Sequence, residues 1–295
     1  MASVQDIRRR IKSVRNTAKI TRAMELVAAA KLRRAQQRIE SMRPYADRML
    51  ELMGGVARAA ASVRQVPLLQ RREDVRTVAL VPITGDRGLA GAFNSQVLRR
   101  AFALERDLRQ EGAKVRWLVA GKKGRSTLTF RRYELAQAWT GFSDAPSYAD
   151  AQAIAHKLAE LYEEGEVDRV VVIYNQFVSA LVQRVAVQDV LPVPEELLKE
   201  RAGDQETLLG DFIYEPEPEQ ILARLVPVYV ETELYRALLE SAASEQGARM
   251  TAMRNASKNA GDLIDRLTLE MNRARQSEIT QEILEVVAGA DALGQ

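Results

Sequence analysis

The sequence predicts a mixed α/β protein in which long helices at the two ends of the chain pair as an antiparallel coiled coil, with an α/β globular domain inserted between them. Three observations predict it. The first 64 residues carry a sustained heptad seam, a second helical stretch of about 70 residues closes the chain, and strands alternate with helices in between.

Residues 1–64 form the N-terminal helix. Apolar or small residues recur in alternating steps of four and three from Ile7 through Ile11, Val14, Ala18, Ala28, Leu32, Ala35, Ile39, Met42, Ala46, Met49, Met53, Val56 and Ala60 to Val63, and only Thr21 and Glu25 interrupt them. A stripe of about eight heptads far exceeds the ~10–14 residues of an average helix, so it needs a partner as long as itself. Pro44 is expected to kink the helix without ending it, because the seam resumes in phase beyond it, and Pro67 marks the exit. The same segment holds 15 Lys and Arg against 5 Asp and Glu, although the whole chain is only +3. Such a basic arm suits nucleic acid, a membrane surface or an acidic protein partner.

Residues 75–195 read as the globular domain. Val75–Ile83 is a buried strand, a Gly-rich turn follows, and a helix runs from Asn94 to Gln110. Lys114–Ala120 is a second strand, Tyr148–Glu164 a helix, Arg169–Tyr174 a third strand, and Leu181–Val187 a fourth that returns antiparallel. The alternation predicts a largely parallel, Rossmann-like sheet. Residues 196–217, rich in Glu, Pro, Gly and Asp, read as a linker, and residues 218–288 as the C-terminal helix. A helix of that size would be roughly 105 Å long. Met250, Met253, Ala260, Leu263, Leu267, Met271 and Ala274 give it a stripe of its own. Residues 1–44 and 236–295 contain no Phe, Trp or Tyr, the anchors of tight interfaces, which suits a turning contact as well as it suits an ordinary coiled coil.

Little chemistry is on offer. With no cysteine and one histidine, His156, thiolate metal sites and cysteine nucleophiles are excluded, and no pair of carboxylates stands out as a general acid and base. No run of ~20 apolar residues is present and the N-terminus lacks a secretory h-region, so the expected address is cytoplasmic. Gly85, Asp86, Arg87, Gly88 and Gly91 lie between a strand and a helix, where phosphate often binds. They match neither the P-loop nor the dinucleotide spacing, and a tight structural turn with close packing is the expected role. No catalytic residue, metal or cofactor is predicted.

Several stretches together resemble one family. Residues 7–36 (IRRRIKSVRNTAKITRAMELVAAAKLRRAQ) are similar to the N-terminal helix of gamma subunits of rotary, F-type ATP synthases. TGDRGLAGAFN at 84–94 resembles that family's strand–turn–helix signature, with Ala90 where the family usually has cysteine. YNQF at 174–177, SEQGARMTAMRNASKNA at 244–260 and ITQEILEVVAGADA at 279–292 fit as well, so the resemblance spans the chain.

The resemblance implies a non-catalytic central shaft. Its helices turn inside a ring of three alpha and three beta subunits, and its globular domain sits with the epsilon subunit on the membrane rotor ring. Proton-driven rotation then cycles the beta subunits through their nucleotide states, from a peripheral position on the cytoplasmic face of the cell membrane. It further implies that Arg275 and Gln276, with neighbouring Arg273, meet a beta-subunit loop. Met24 would face an acidic lever of beta, with Arg22, Lys31, Arg33 and Arg34 presenting positive charge near it. No nucleic-acid partner is expected. The alternative is a basic coiled-coil nucleic-acid-binding protein, which would bind with strong salt dependence but leaves the seam and the C-terminal motif unexplained. A nucleotide-dependent enzyme using the Gly85–Gly91 turn would instead bind nucleotide as an isolated chain.

Overall fold

Helix α1 runs without interruption from Val4 to Ala59 with Pro44 inside it. The computed structural model describes residues 3–60, 66–194 and 215–293, with side chains as far as Ala288. Val63 and nearly all of the expected 196–217 linker therefore lie outside the described residues. Along α1 every seam residue from Ile7 to Ala60 is buried or half-buried, whereas Pro44 is exposed. At an exposed position water can serve the carbonyl that proline leaves without a donor, so the helix continues. The last helix, α5, spans Pro218–Leu293 and likewise contains a proline, Pro227. Its first residue is itself proline, whose missing N–H costs nothing at a helix start.

Two compact units divide the chain, Met1–Ala28 with Met250–Gln295, and Ala29–Arg249. In the first, α1 and α5 pair antiparallel. Ile7 and Ile11 are buried with Leu267, and Val14, Ile264, Met271 and Ala274 pack around them. Further along, Thr21 and Ser257 share a 2.7 Å hydroxyl–hydroxyl hydrogen bond. Glu25 accepts from Arg22 at 2.8 Å and from Arg254 at 3.0 Å. The two polar residues that interrupt the seam are thus matched across the pair, the condition under which a polar seam position fixes register. From Ser277 to Ala288 every side chain of α5 is exposed, Ile279, Ile283, Leu284, Val286 and Val287 included.

The second unit is built on a five-stranded sheet of order β3-β2-β1-β4-β5. Its strands are β1 Thr77–Pro82, β2 Lys114–Ala120, β3 Leu135–Trp139, β4 Arg169–Phe177 and β5 Gln183–Leu191. The first four are parallel and β5 returns antiparallel to β4. Strand alternation sorts the core into two layers. Ala79, Val81, Leu118, Val170 and Val172 face helix α4 (Tyr148–Glu163) and the α1 and α5 segments of this unit. Val78, Leu80, Trp117, Val119, Val171 and Ile173 face helices α2 (Phe93–Gln110) and α3 (Lys122–Phe130). Asp168 fixes the start of the central pair. Burial pushes its carboxyl up, but the backbone N–H groups of Thr77 and Arg76 and the Arg72 guanidinium outweigh that and hold it below its ordinary range.

Some boundaries differ from expectation. The stretch between Ala120 and Tyr148 holds α3 and β3, and the polar sequence KKGRSTLTF carries too short an apolar period to announce a helix. The last strand begins at Gln183 because the Ser179 hydroxyl accepts from the N–H groups of Leu181 and Val182, closing a turn there.

Two outcomes follow. Leu118→Ala, at a side chain with no exposure, should cost about 2–5 kcal/mol. Phe130→Ala, at a side chain 87% exposed, should stay within about 0.5 kcal/mol, both read from denaturant midpoints of the purified chain. The bonds from Arg254 hold the Glu25 carboxyl below its ordinary range against the opposing effect of burial, with Arg22 assisting. Glu25 therefore contributes fully at neutral pH, and its contribution is lost as pH falls through the lowered value. A spin-label pair on α1 and α5 should report the two helices separating in that window, and Glu25→Gln should remove that step. An unchanged pH profile in the variant would rule Glu25 out as its source.

Candidate functional site

The Gly-rich turn leaves the carboxyl end of β1, beside β4. Strand order reverses between these two strands, since the chain proceeds from β1 to β2 and β3 on one side and to β4 and β5 on the other. In open α/β sheets the crevice outside this switch point is where ligands bind. Here the crevice is filled by the chain itself. A Cβ placed on Gly85 would lie 2.8 Å from the Glu245 carboxylate carried by α5. Gly85 is therefore required for close approach, as in a phosphate-binding turn, but what approaches is a carboxylate of the same polypeptide.

The turn is held from beneath. Asn94 accepts from the Gly85 N–H at 2.8 Å, and Ser143 Oγ accepts from the Asp86 N–H at 2.9 Å. The Asp86 carboxylate collects the N–H groups of Lys122, Gly141 and Ser143 at 2.8–3.0 Å, tying three loops together. Gly91 has φ +56°, and Leu89, largely exposed at the tip, has φ +61°. Gly88 shows neither a positive φ nor crowding, since a Cβ there would meet only the end of Lys123, at 3.7 Å. Arg87 projects to solvent with its guanidinium 4.0 Å from Asp144.

Glu245 and Arg249 were not singled out by sequence reasoning. Their i, i+4 spacing within residues 244–260 was the available signal. Arg249 donates to Glu245 at 2.6 Å and to the Gly88 carbonyl at 3.2 Å, with side chains 9% and 1% exposed respectively for Arg249 and Glu245. Burial pushes the Glu245 carboxyl up, against the pull of Arg249.

The residues expected to meet a partner lie on the helices. On α1, Met24 is half-buried, and Arg22, although 63% exposed, is bonded to Glu25. Arg33 and Arg34 are exposed, whereas Lys31 donates to Asp144 at 2.7 Å and is turned inward. On α5, Arg273, Arg275 and Gln276 are exposed, flanking the half-buried Ala274. Within the first unit Glu25 marks the level of Arg254, so the Met24 and Arg275 positions are separated by about 30 Å along the pair. They form two levels and not one site. His156 is exposed and lies 3.2 Å from Glu231. Among the described residues no group of three His, Cys, Asp or Glu could hold a metal ion, and no helix is long and apolar enough to cross a membrane.

Comparison with known proteins agrees with this geometry. Residues 3–293 match the family described as ATP synthase. The ATP synthase gamma chain of Rubrobacter xylanophilus is 49% identical over 296 residues, covering 99% of each chain. That of Pelotomaculum thermopropionicum is 46% identical over 99% of this chain and 100% of its own. Among solved structures, a chain from the central stalk and c-ring of the Tetrahymena thermophila mitochondrial ATP synthase is 30% identical, with a TM-score of 0.59 over 81% of this chain and 99% of that one. A chain of the Euglena gracilis mitochondrial ATP synthase shares the fold, with a TM-score of 0.69 at 20% identity over 98% of this chain and 94% of that one. A full-length match at this identity, joined to a helix pair and a strand–turn–helix signature in the expected places, shows that the chain belongs to the ATP synthase gamma chain family.

Proposed function

We propose that the chain is the central rotor shaft of an ATP synthase. It couples proton-driven rotation of the membrane ring to conformational cycling of catalytic beta subunits, and performs no chemistry itself. The observation that carries this is the pair formed by α1 and α5, in a family member whose helices carry exposed cations and no aromatic anchor over residues 1–44 and 236–295. A turning shaft must be attracted to its housing without being fixed to it. Long-range charge attraction meets that need, because exposed ion pairs contribute only about 0–1 kcal/mol each and can be exchanged at every step.

The partners in this proposal are three alpha and three beta subunits around the helix pair, with the epsilon subunit and the membrane ring at the globular domain. The chain is peripheral on the cytoplasmic face of the membrane. Arg273, Arg275 and Gln276 engage beta at one level, and Met24, with Arg22, Lys31, Arg33 and Arg34 around it, at the other. Lys31, already engaged by Asp144, must exchange that carboxylate for one on beta or serve only to position α1. The division into an N-terminal helix (1–64), an α/β domain (75–195), a linker (196–217) and a C-terminal helix (218–288) belongs to the same proposal. Family membership leaves a nucleic-acid role for the basic arm without support.

The proposal is tested with purified alpha and beta subunits, with and without this chain, by ATP hydrolysis and size-exclusion chromatography. A stable complex of three alpha, three beta and one copy of this chain, with stimulated cooperative hydrolysis, is expected. A chain that elutes alone and leaves hydrolysis unchanged would end the proposal. Replacing Arg275 and Gln276 together with Ala should lower ATP synthesis about two- to tenfold at normal complex yield, as loss of one or two exposed contacts allows. Undiminished synthesis would remove both residues from the mechanism.

A further inference from the structure

One turn of α5 meets the α/β domain through an ion pair whose two side chains are only 9% and 1% exposed. Upstream, Leu222, Val226, Val230, Leu234 and Leu238 pack in the core beside the sheet, and the polar contacts there are separate bonds, with Glu233 accepting from Gln188 of β5 at 2.7 Å and Glu231 from Tyr148 of α4 at 2.7 Å. Between Ser244 and Arg249 the contact becomes a hydrogen-bonded circuit. The Asp86 N–H donates to Ser143, whose hydroxyl is also bonded to the Glu245 carboxylate. Glu245 accepts from Arg249, and Arg249 donates on to the Gly88 carbonyl, returning to the turn. On the same helical turn Ser244 donates to the Asn175 carbonyl of β4 at 2.9 Å, and Gln246 to Asp144 at 2.9 Å.

We infer that the buried Glu245–Arg249 pair, closed against the Gly85–Gly88 backbone, is the joint through which the α/β domain drives the long C-terminal helix; the inference rests on the shaft function proposed above. A buried ion pair is weak evidence for stability, since apolar residues of the same volume often serve as well. Its attested use is to fix register. Rotating α5 by one residue, about 100° at 3.6 residues per turn, would part Glu245 from Ser143 and Arg249 from Gly88 together, stranding two charges out of water. Gly85 is part of the joint because a Cβ at that position would lie 2.8 Å from the Glu245 carboxylate, too close for the side chain to stay where it is. The crevice that a nucleotide would fill in a related sheet is therefore occupied by the coupling element. Arg249 and Glu245 are positioning residues, acting through the rotor and not on nucleotide.

The test uses the whole ATP synthase in inverted membrane vesicles, reading protons pumped per ATP hydrolysed, normalised to assembled complex. Arg249→Gln should be tolerated in folding, because Glu245, already biased toward the protonated form, can take up a proton. It should lower the pumping ratio about threefold or more, while Arg249→Lys, which keeps the charge beside Glu245, retains most of it. An unchanged ratio in Arg249→Gln, or equal losses in Gln and Lys variants, would overturn the inference, as would a fall in complex yield with the ratio intact. If Arg249→Gln does not assemble, Gly85→Ala is read in the same way: its methyl displaces Glu245 with both charges retained, so the ratio must fall, and an unchanged ratio overturns the joint. Failure of the unsubstituted chain to support pumping would instead defeat the shaft function itself.

Discussion

Everything in this structure depends on where a heptad stripe some eight repeats long can be buried. An α/β domain of about 120 residues has no face that could cover it. From Ile7 to Glu25 the second helix covers it and the two run antiparallel, whereas Met49, Met53 and Val56 of the same stripe are buried in the sheet core. Where the seam turns polar, the partner supplies what it lacks: Ser257 opposite Thr21, Arg254 beside Glu25. Small residues elsewhere keep the contact close without aromatic knobs that would tie the outer surface to one neighbour.

The inserted domain makes the complementary point about fold and function. Its strand order and its Gly-rich turn at the switch point are features of nucleotide-binding sheets. The same geometry that lets backbone approach a pyrophosphate lets it approach a carboxylate, and here an internal ligand has taken the place. Fold alone would suggest a nucleotide site; the crevice instead holds the Glu245 carboxylate.

Much of this was legible in the sequence because it is periodic. The seam from Ile7 to Ala60 reads directly as burial, and the three strands richest in Val, Leu and Ile announce themselves by composition. The α3–β3 segment was not legible, because a short polar helix and an edge strand with two of its five residues exposed and none fully buried carry no strong period. The Gly85–Gly91 turn was legible as a turn, but Glu245 is 160 residues away in sequence and reads as one more acid on a helix. Its burial is a property of tertiary structure. Lys31 shows the opposite limit: its charge is visible in the sequence, but its capture by Asp144, 113 residues on, is not.

The filled crevice also has a meaning for descent. Gly85, Glu245 and Arg249 depend on one another. A side chain at 85 expels the acid, loss of the acid strands a cation that cannot deprotonate, and loss of the cation leaves a carboxylate in a dry pocket. A change at any one of the three positions alters what the other two must accommodate. A domain that abandons them regains an open switch point, and with it the chance to hold a ligand again.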